Sequence, residues 1–195
     1  MDDIQEAKRG IRTQMIQTLE KLPEDEHALL TQQVEARLFD FANFLESRIV
    51  MLYVAGTGEV PTRNIIRKTS DLGKIVVLPA FIPEKFEMKL LKIDHPERDL
   101  VPGPRGILEP NPARCKEVPI DCIDIAVIPA VALDEKGGRI GSGEGYYDRL
   151  IPDLPITTRK VALAFDLQIV PQVPMESHDK YIDIIVTEKR TIYKI

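Results

Sequence analysis

Arg48-Ile-Val-Met-Leu-Tyr-Val54 is a short, unbroken apolar run. Upstream of it, apolar residues recur three and four apart, the period of an amphipathic helix; within it that period vanishes. Such a run is expected of a parallel strand buried on both faces. Runs of the same kind follow at Lys74-Ile-Val-Val-Leu-Pro79, Asp124-Ile-Ala-Val-Ile-Pro129, Lys160-Val-Ala-Leu-Ala-Phe165 and Asp183-Ile-Ile-Val-Thr187, and residues 87–93 read as a further strand. Helical patterns separate them. Strands alternating with helices predict an α/β fold: a mainly parallel sheet flanked by helices in three layers, with an open cleft at the strand carboxyl ends. Residues 1–195 read as one domain, since no repeat and no linker divides them.

Outward from the first strand toward the N-terminus, residues 24–46 form a helical pattern with the stripe Leu30, Val34, Leu38, Phe41 and Leu45, and Pro23 interrupts the chain before it. Residues 3–22 form another, with Ile4, Ile11, Met15 and Leu22 on one stripe and Leu19 at its edge. Lys8 and Arg12 share a face beside that stripe. Spacing alone favours solvated surface cations there; a cation pair aimed into a neighbouring cleft is the sharper reading. Toward the C-terminus, Gly56-Thr-Gly58 turns the chain, Thr62 is expected to cap a helix over 62–72, and Gly73 fits its stop. The proline-rich stretch 95–119 reads as irregular, and a short helix is expected from near Tyr146 to before Pro152.

Composition narrows the function classes. A chain of 195 residues with 44% hydrophobic and 29% charged residues can build a sizeable soluble core. A net charge of −5 argues against a broad nucleic-acid surface but leaves room for a small basic pocket. No apolar run approaches the roughly 20 residues of a membrane span, so no membrane partner is expected. The acidic start Met-Asp-Asp-Ile-Gln is not a secretory signal. Cys115 and Cys122 lack metal-ligand spacing, and a reducing cytoplasm is the simpler reading. His27, His95 and His178 are scattered and form no metal motif by spacing.

Gly141-Ser-Gly-Glu-Gly145-Tyr-Tyr-Asp-Arg149 carries the chemistry. Glycines remove Cβ and allow a ligand close to the backbone, and N–H groups in such a loop can converge on phosphate oxygens. The loop is neither a Walker P-loop nor a dinucleotide fingerprint, since it lacks Gly-Lys-Ser/Thr and the Gly-x-Gly-x-x-Gly spacing. Arg139 and Arg149 add cations. Asp148, and Asp179 farther on, are oxygen donors of the kind Mg²⁺ takes beside phosphates; a lone loop aspartate is more commonly a turn or cap residue.

The ordered set of Lys8 and Arg12, Glu59-Val-Pro-Thr62, Gly73-Lys-Ile-Val-Val-Leu-Pro79, Gly106-Ile-Leu-Glu-Pro110, Ile128-Pro-Ala-Val-Ala-Leu-Asp134 and Arg139-Ile-Gly-Ser-Gly-Glu-Gly-Tyr-Tyr-Asp-Arg149, closed by Ala164-Phe165, Gln168, Val173-Pro174, His178-Asp179 and Ile185-Val-Thr-Glu188, resembles the 5-formyltetrahydrofolate cyclo-ligases, also called methenyltetrahydrofolate synthetases. The resemblance spans nearly the whole chain. It implies an ATP- and Mg²⁺-dependent closure of 5-formyltetrahydrofolate to 5,10-methenyltetrahydrofolate with release of ADP and phosphate. It further implies ATP contacts at Lys8, Arg12, Arg139, Ile140, Gly141, Ser142, Gly143, Glu144, Gly145, Tyr146 and Tyr147. Lys8, Arg12 and Arg149 would serve catalysis, Asp148 and Asp179 would hold Mg²⁺, and Val54 and Glu59 would contact the reduced folate. The expected partners are these small molecules, and a monomer is the expected state.

This chain departs from the pattern at Glu144, where many members carry Lys or Gly, and at Leu133, where Phe before Asp is common. A carboxylate facing phosphates would repel them, so Glu144 is expected to face solvent. The departures keep two competing readings open: a diverged ATP-dependent enzyme with another acceptor, and a non-catalytic folate- or nucleotide-binding protein.

Overall fold

The computed structural model describes residues 2–194. Helices α1 (Asp2–Glu20), α2 (Glu24–Asp40) and α3 (Ala42–Glu46) precede β1 (Ile49–Met51). Then come α4 (Arg63–Asp71), β2 (Ile75–Ile82), β3 (Glu87–Ile93), α5 (Pro96–Asp99), β4 (Leu100–Pro102) and β5 (Leu108–Pro110). The chain continues through β6 (Ile125–Ile128), β7 (Ala132–Leu133), β8 (Arg139–Ile140), α6 (Tyr146–Leu150), β9 (Arg159–Leu163), β10 (Ile184–Val186) and β11 (Thr191–Tyr193). Seven strands form one sheet in the order β11-β10-β9-β6-β1-β2-β3. Its inner strands β10, β9, β6, β1 and β2 are mutually parallel, and the edge strands β3 and β11 run antiparallel.

Successive strand residues point to opposite faces, and the core divides accordingly. Val50, Val76, Ile125, Val127, Val161 and Ile184 pack with the buried side chains of α1, α2, α3 and α4 on one face. Met51, Val77, Ala126, Ile128, Ala162 and Ile185 pack with Tyr147, Leu150, Ile151 and Leu154 on the other. The unbroken apolar runs are thus explained by burial on both sides, giving the expected three layers. Each fully buried Val, Ile or Leu contributes about 1.5–3 kcal/mol, which holds the layers together despite β1 being three residues long. Among the described residues Cys115 and Cys122 are free thiols.

Several local expectations change. Residues 24–46 are not one helix: Phe41 is extended, with φ −75° and ψ 120°, and splits it. The break resets the helical phase, so Phe44 is fully buried while Leu45 is 54% exposed. Leu19 is buried with Met15 rather than marginal. Thr62 stands at the N-cap of α4 as expected, but its hydroxyl makes no capping bond; it donates to the Tyr53 carbonyl and ties α4 to the end of the first strand. Gly73 does stop that helix, with φ +74°. The proline-rich stretch contains α5 and an antiparallel β4–β5 pair whose tip, residues 103–107, carries Arg105.

Two buried polar groups fix the loops beyond the strands. The Asp134 carboxylate accepts N–H bonds from Lys136 (3.0 Å), Gly138 (2.8 Å) and Val173 (2.8 Å), which sets the base of the β7–β8 turn. Gln168, fully buried, donates to the carbonyls of Gly58 (2.9 Å) and Val131 (2.8 Å) and accepts from the Phe165 N–H (2.8 Å). Three loops therefore share one side chain.

Candidate active site

Ligands in open parallel sheets gather beyond the strand carboxyl ends. The ends of β1, β2 and β6 lie side by side and carry Val54 and Glu59, Phe81, and Pro129. Two adjoining cavities open there. The first is lined by the Gly loop, Lys8, Arg12, Arg139, Asp148 and Asp179, and the second by Val54, Glu59, Pro79, Ile107 and Leu108. Phe81, Arg105, Pro129, Ser142 and Tyr147 border both.

The Gly loop bends as its glycines allow. Gly143 and Gly145 have φ +104° and +76°, values that a side chain opposes. A Cβ on Gly143 would also sit 3.3 Å from the Arg12 guanidinium. Arg12 donates from Nε to the Gly141 carbonyl at 2.8 Å, pinning α1 to the loop. Arg139 is buried; it donates to the Pro129 carbonyl (3.1 Å) and to Asp148 Oδ1 (2.9 Å), and its Nε is buried without a partner among the described residues.

Lys8 is 7% exposed and bonds Glu176 (3.1 Å) and Asp179. The solvated-cation reading of its spacing is therefore corrected: the apolar side of α1 docks on the sheet and carries Lys8 into the cleft. Gln5 also donates to Glu176, and Asp179 Oδ2 accepts the Glu176 N–H at 2.7 Å. His178 Nε2 lies 3.8 Å from Glu176 and 3.6 Å from Asp179. Glu176, His178 and Asp179 thus converge as a metal-type cluster, although the histidines form no motif by spacing. Asp148 lines the same cleft but stands apart from that cluster, against Arg139.

Glu59 accepts the Gly56 N–H at 2.8 Å. Burial raises its carboxyl above the usual range, against the opposing pull of that N–H, Arg105 and Arg139. Burial likewise pushes the Tyr53 and Tyr147 phenols well up, with Glu59 adding to both. The second cavity is thus walled by the neutral Tyr147 phenol, the Phe81 ring and aliphatic surface, with Arg105 and Ser142 on its border with the first and Glu59 as its acceptor-only group. Arg149 goes elsewhere: it is exposed, donates to the Phe86 carbonyl at 3.2 Å and stacks on the Phe86 ring, outside both cavities.

Glu144 is neither solvent-free nor unpartnered. Its side chain is 46% exposed and accepts from Arg105 Nε at 2.6 Å. Sequence reasoning missed Arg105 and Glu176. Arg105 sits in a Pro-Arg-Gly turn without periodicity, whereas Glu176 was legible as the start of Glu-x-His-Asp.

The sequence matches the 5-formyltetrahydrofolate cyclo-ligase family over residues 4–188. The chain belongs to that family. It is 29% identical to the mouse 5-formyltetrahydrofolate cyclo-ligase over 95% of each chain, and 30% identical to the Escherichia coli K12 enzyme over 82% of this chain and 88% of that one. Among solved structures, the Aquifex aeolicus 5,10-methenyltetrahydrofolate synthetase superposes with a TM-score of 0.83 at 29% identity, covering 96% of this chain and 92% of its own. As a cyclo-ligase family member the chain is a ligase, and the family's name states an activity on a reduced folate. No described helix is long and apolar enough to cross a membrane.

Proposed function

We propose that this chain, acting as a single cytoplasmic domain over residues 1–195 and as a monomer, uses ATP and Mg²⁺ to cyclise 5-formyltetrahydrofolate to 5,10-methenyltetrahydrofolate. The observation that carries the proposal is the pair of adjoining cavities, one cationic and Gly-rich, the other walled by apolar groups around Glu59. A formyl amide is a poor electrophile with a poor leaving group. Its oxygen attacks the γ-phosphorus, the bond from that phosphorus to the bridging oxygen breaks, and ADP leaves. N10 then attacks the activated carbon, the carbon–oxygen bond breaks as phosphate departs, and the N10 proton is lost. Such transfer needs positioning and charge neutralisation more than a covalent nucleophile.

In this reading the Gly loop with Lys8, Arg12 and Arg139 binds the nucleotide, and Ile140, Tyr146 and Tyr147 shape its wall. Glu59 accepts N–H bonds from the pterin edge, and Val54 packs against the ring. Arg149, outside both cavities, would serve by anchoring the end of the loop to the β2–β3 turn. Mg²⁺ fits the donor set, because Asp148, Asp179 and the adjacent Glu176 offer hard oxygens on the nucleotide side. When bound, the ion would neutralise phosphate charge.

Purified protein with ATP, Mg²⁺ and 5-formyltetrahydrofolate should yield methenyl absorbance and ADP in equal amounts. ADP without methenyl product on another acceptor would favour the diverged enzyme, and ligand binding without turnover would favour a binding protein. Arg12→Ala is expected to weaken ATP binding about tenfold, since a charge-assisted phosphate contact is worth roughly 1.5–3 kcal/mol; titration calorimetry on the well-folded variant checks this. Asp148→Asn is expected to raise the Mg²⁺ concentration for half-maximal turnover several-fold, because a neutral amide holds a hard cation more weakly. A Mg²⁺ curve superimposed on the wild-type one contradicts the role given to Asp148.

A further inference from the structure

We propose that Arg105 meets the phosphoryl group as it crosses from the nucleotide to the formyl oxygen, and that Glu144 positions the guanidinium for that crossing. The proposal rests on the cyclo-ligase reading above. A group passing between two cavities must pass the residues that border both. Of the residues shared by the two cavities, Arg105 is the charged one. Lys8, Arg12 and Arg139 line the nucleotide side alone.

The β4–β5 tip brings Arg105 to this junction, and aromatic faces orient it. Its guanidinium carbon lies 4.1 Å from the Phe81 ring centroid and 5.5 Å from that of Tyr146. Both rings flank the loop, and stacking leaves the edge of the planar fork for acceptors. At present Glu144 takes Nε at 2.6 Å, and the Ser142 hydroxyl lies 3.4 Å from a terminal nitrogen.

A bridge whose carboxylate is 46% exposed contributes little to stability. Its position is more telling than its strength. The two cavities hold about 90 and 20 Å³, well below the roughly 300 Å³ of a small-molecule site, and the bridge stands where they adjoin, so in the proposal it gives way as substrates fill the site. Glu144 takes both Nε and a terminal nitrogen on one oxygen, Oε2; phosphate oxygens can offer the fork two acceptors side by side, the stronger geometry. The charge of Arg105 is already felt beyond the bridge: it opposes the burial that raises the carboxyls of Glu59, in the second cavity, and of Glu109. In the transfer, the formyl oxygen gains the phosphorus, ADP takes the breaking bond, and Arg105 stays protonated throughout, neutralising the equatorial oxygens. Glu144 supplies no phosphate contact itself; it holds a cation from the opposite hairpin at the junction.

The test is steady-state turnover of methenyl product and ADP, measured for wild type first. Arg105→Ala should lower kcat on the order of a hundredfold with the KM of each substrate within about fivefold, as expected for charge met mainly in the transition state. Added guanidinium ion should restore part of kcat, and Arg105→Lys should be intermediate while matching the wild-type melting temperature. Glu144→Gln should lower kcat several-fold alone and have no further effect in the Arg105→Ala background. An Arg105→Ala kcat within threefold of wild type, a loss confined to KM, a loss guanidinium does not relieve, or independent effects of the two substitutions would each overturn the proposal. Wild type that forms no methenyl product defeats the cyclo-ligase reading, and this inference with it.

Discussion

Glu59→Gln will bind the reduced folate roughly 10–100-fold more weakly, on the scale of losing one or two hydrogen bonds to a charged acceptor, while ATP binding stays at the wild-type level. The carboxylate is the acceptor aimed into the second cavity, and Gln replaces one of its two acceptor oxygens with a donor that meets the pterin donors head-on. The loop itself survives, because the remaining carbonyl oxygen can take the Gly56 N–H bond now made by Oε2 at 2.8 Å. Stability should move the opposite way. Burial raises the Glu59 pKa, so the native state binds more protons than the unfolded one between the ordinary carboxylate range and the raised value. Wild-type stability therefore falls as pH rises through that window, and the cost is fully present above it. Glu59→Gln carries no such charge, and its melting temperature at neutral pH should equal or exceed that of wild type. Folate affinity of the wild type should rise with pH over the same window, and the variant should lose that dependence. Calorimetric titration and a pH series of melts read both effects; a variant with wild-type folate affinity would remove Glu59 from the site.

Lys8→Ala is expected to lower turnover on the order of a hundredfold and stability by about 3 kcal/mol, the scale of breaking a buried ion pair. Glu176 and Asp179 have side chains only 11% and 8% exposed, and Lys8 bonds both. Removing it leaves two largely buried carboxylates facing each other with the Lys8 cation gone, held by Gln5, the Glu176 N–H and the nearby His178. For a chain of this size the melting temperature should drop by roughly 6–12 °C. Domain stabilities run about 5–15 kcal/mol, so the variant should still fold at 25 °C, where kcat and ATP affinity can be measured. A variant that loses stability but turns over normally would make Lys8 a structural residue alone.

The inner strands were legible because each must bury both faces, which forces an unbroken apolar run such as Ile125-Ala-Val-Ile128. The Gly loop was legible because its backbone requires glycine at 143 and 145. Phe41, by contrast, breaks a helix without Gly or Pro, so the phase shift that buries Phe44 instead of Leu45 left no local trace. Residues 132–133 and 139–140 pair as strands too short for any period. Arg105 could not be read at all: its place depends on a hairpin folding over β2 until residue 105 meets residue 144. The cleft cations showed the opposite problem. Lys8 and Arg12 were plain in the sequence, but only the docking of α1 separates a cleft cation from a surface one.

That docking joins the two halves of the translation product. Lys8 and Asp179 are separated by 171 positions. At roughly 5–20 residues per second, a ribosome takes about 10–30 s to make that interval. For that time the α1 cation has no partner, while β1, β2 and β6 can pair once they emerge. A nascent chain stalled before residue 176 would thus hold the central strands of the sheet but only half of the candidate site. The Lys8 side of the cleft is thus completed only when residues 176–179 fold against α1, so a product truncated before them is expected to lack nucleotide turnover.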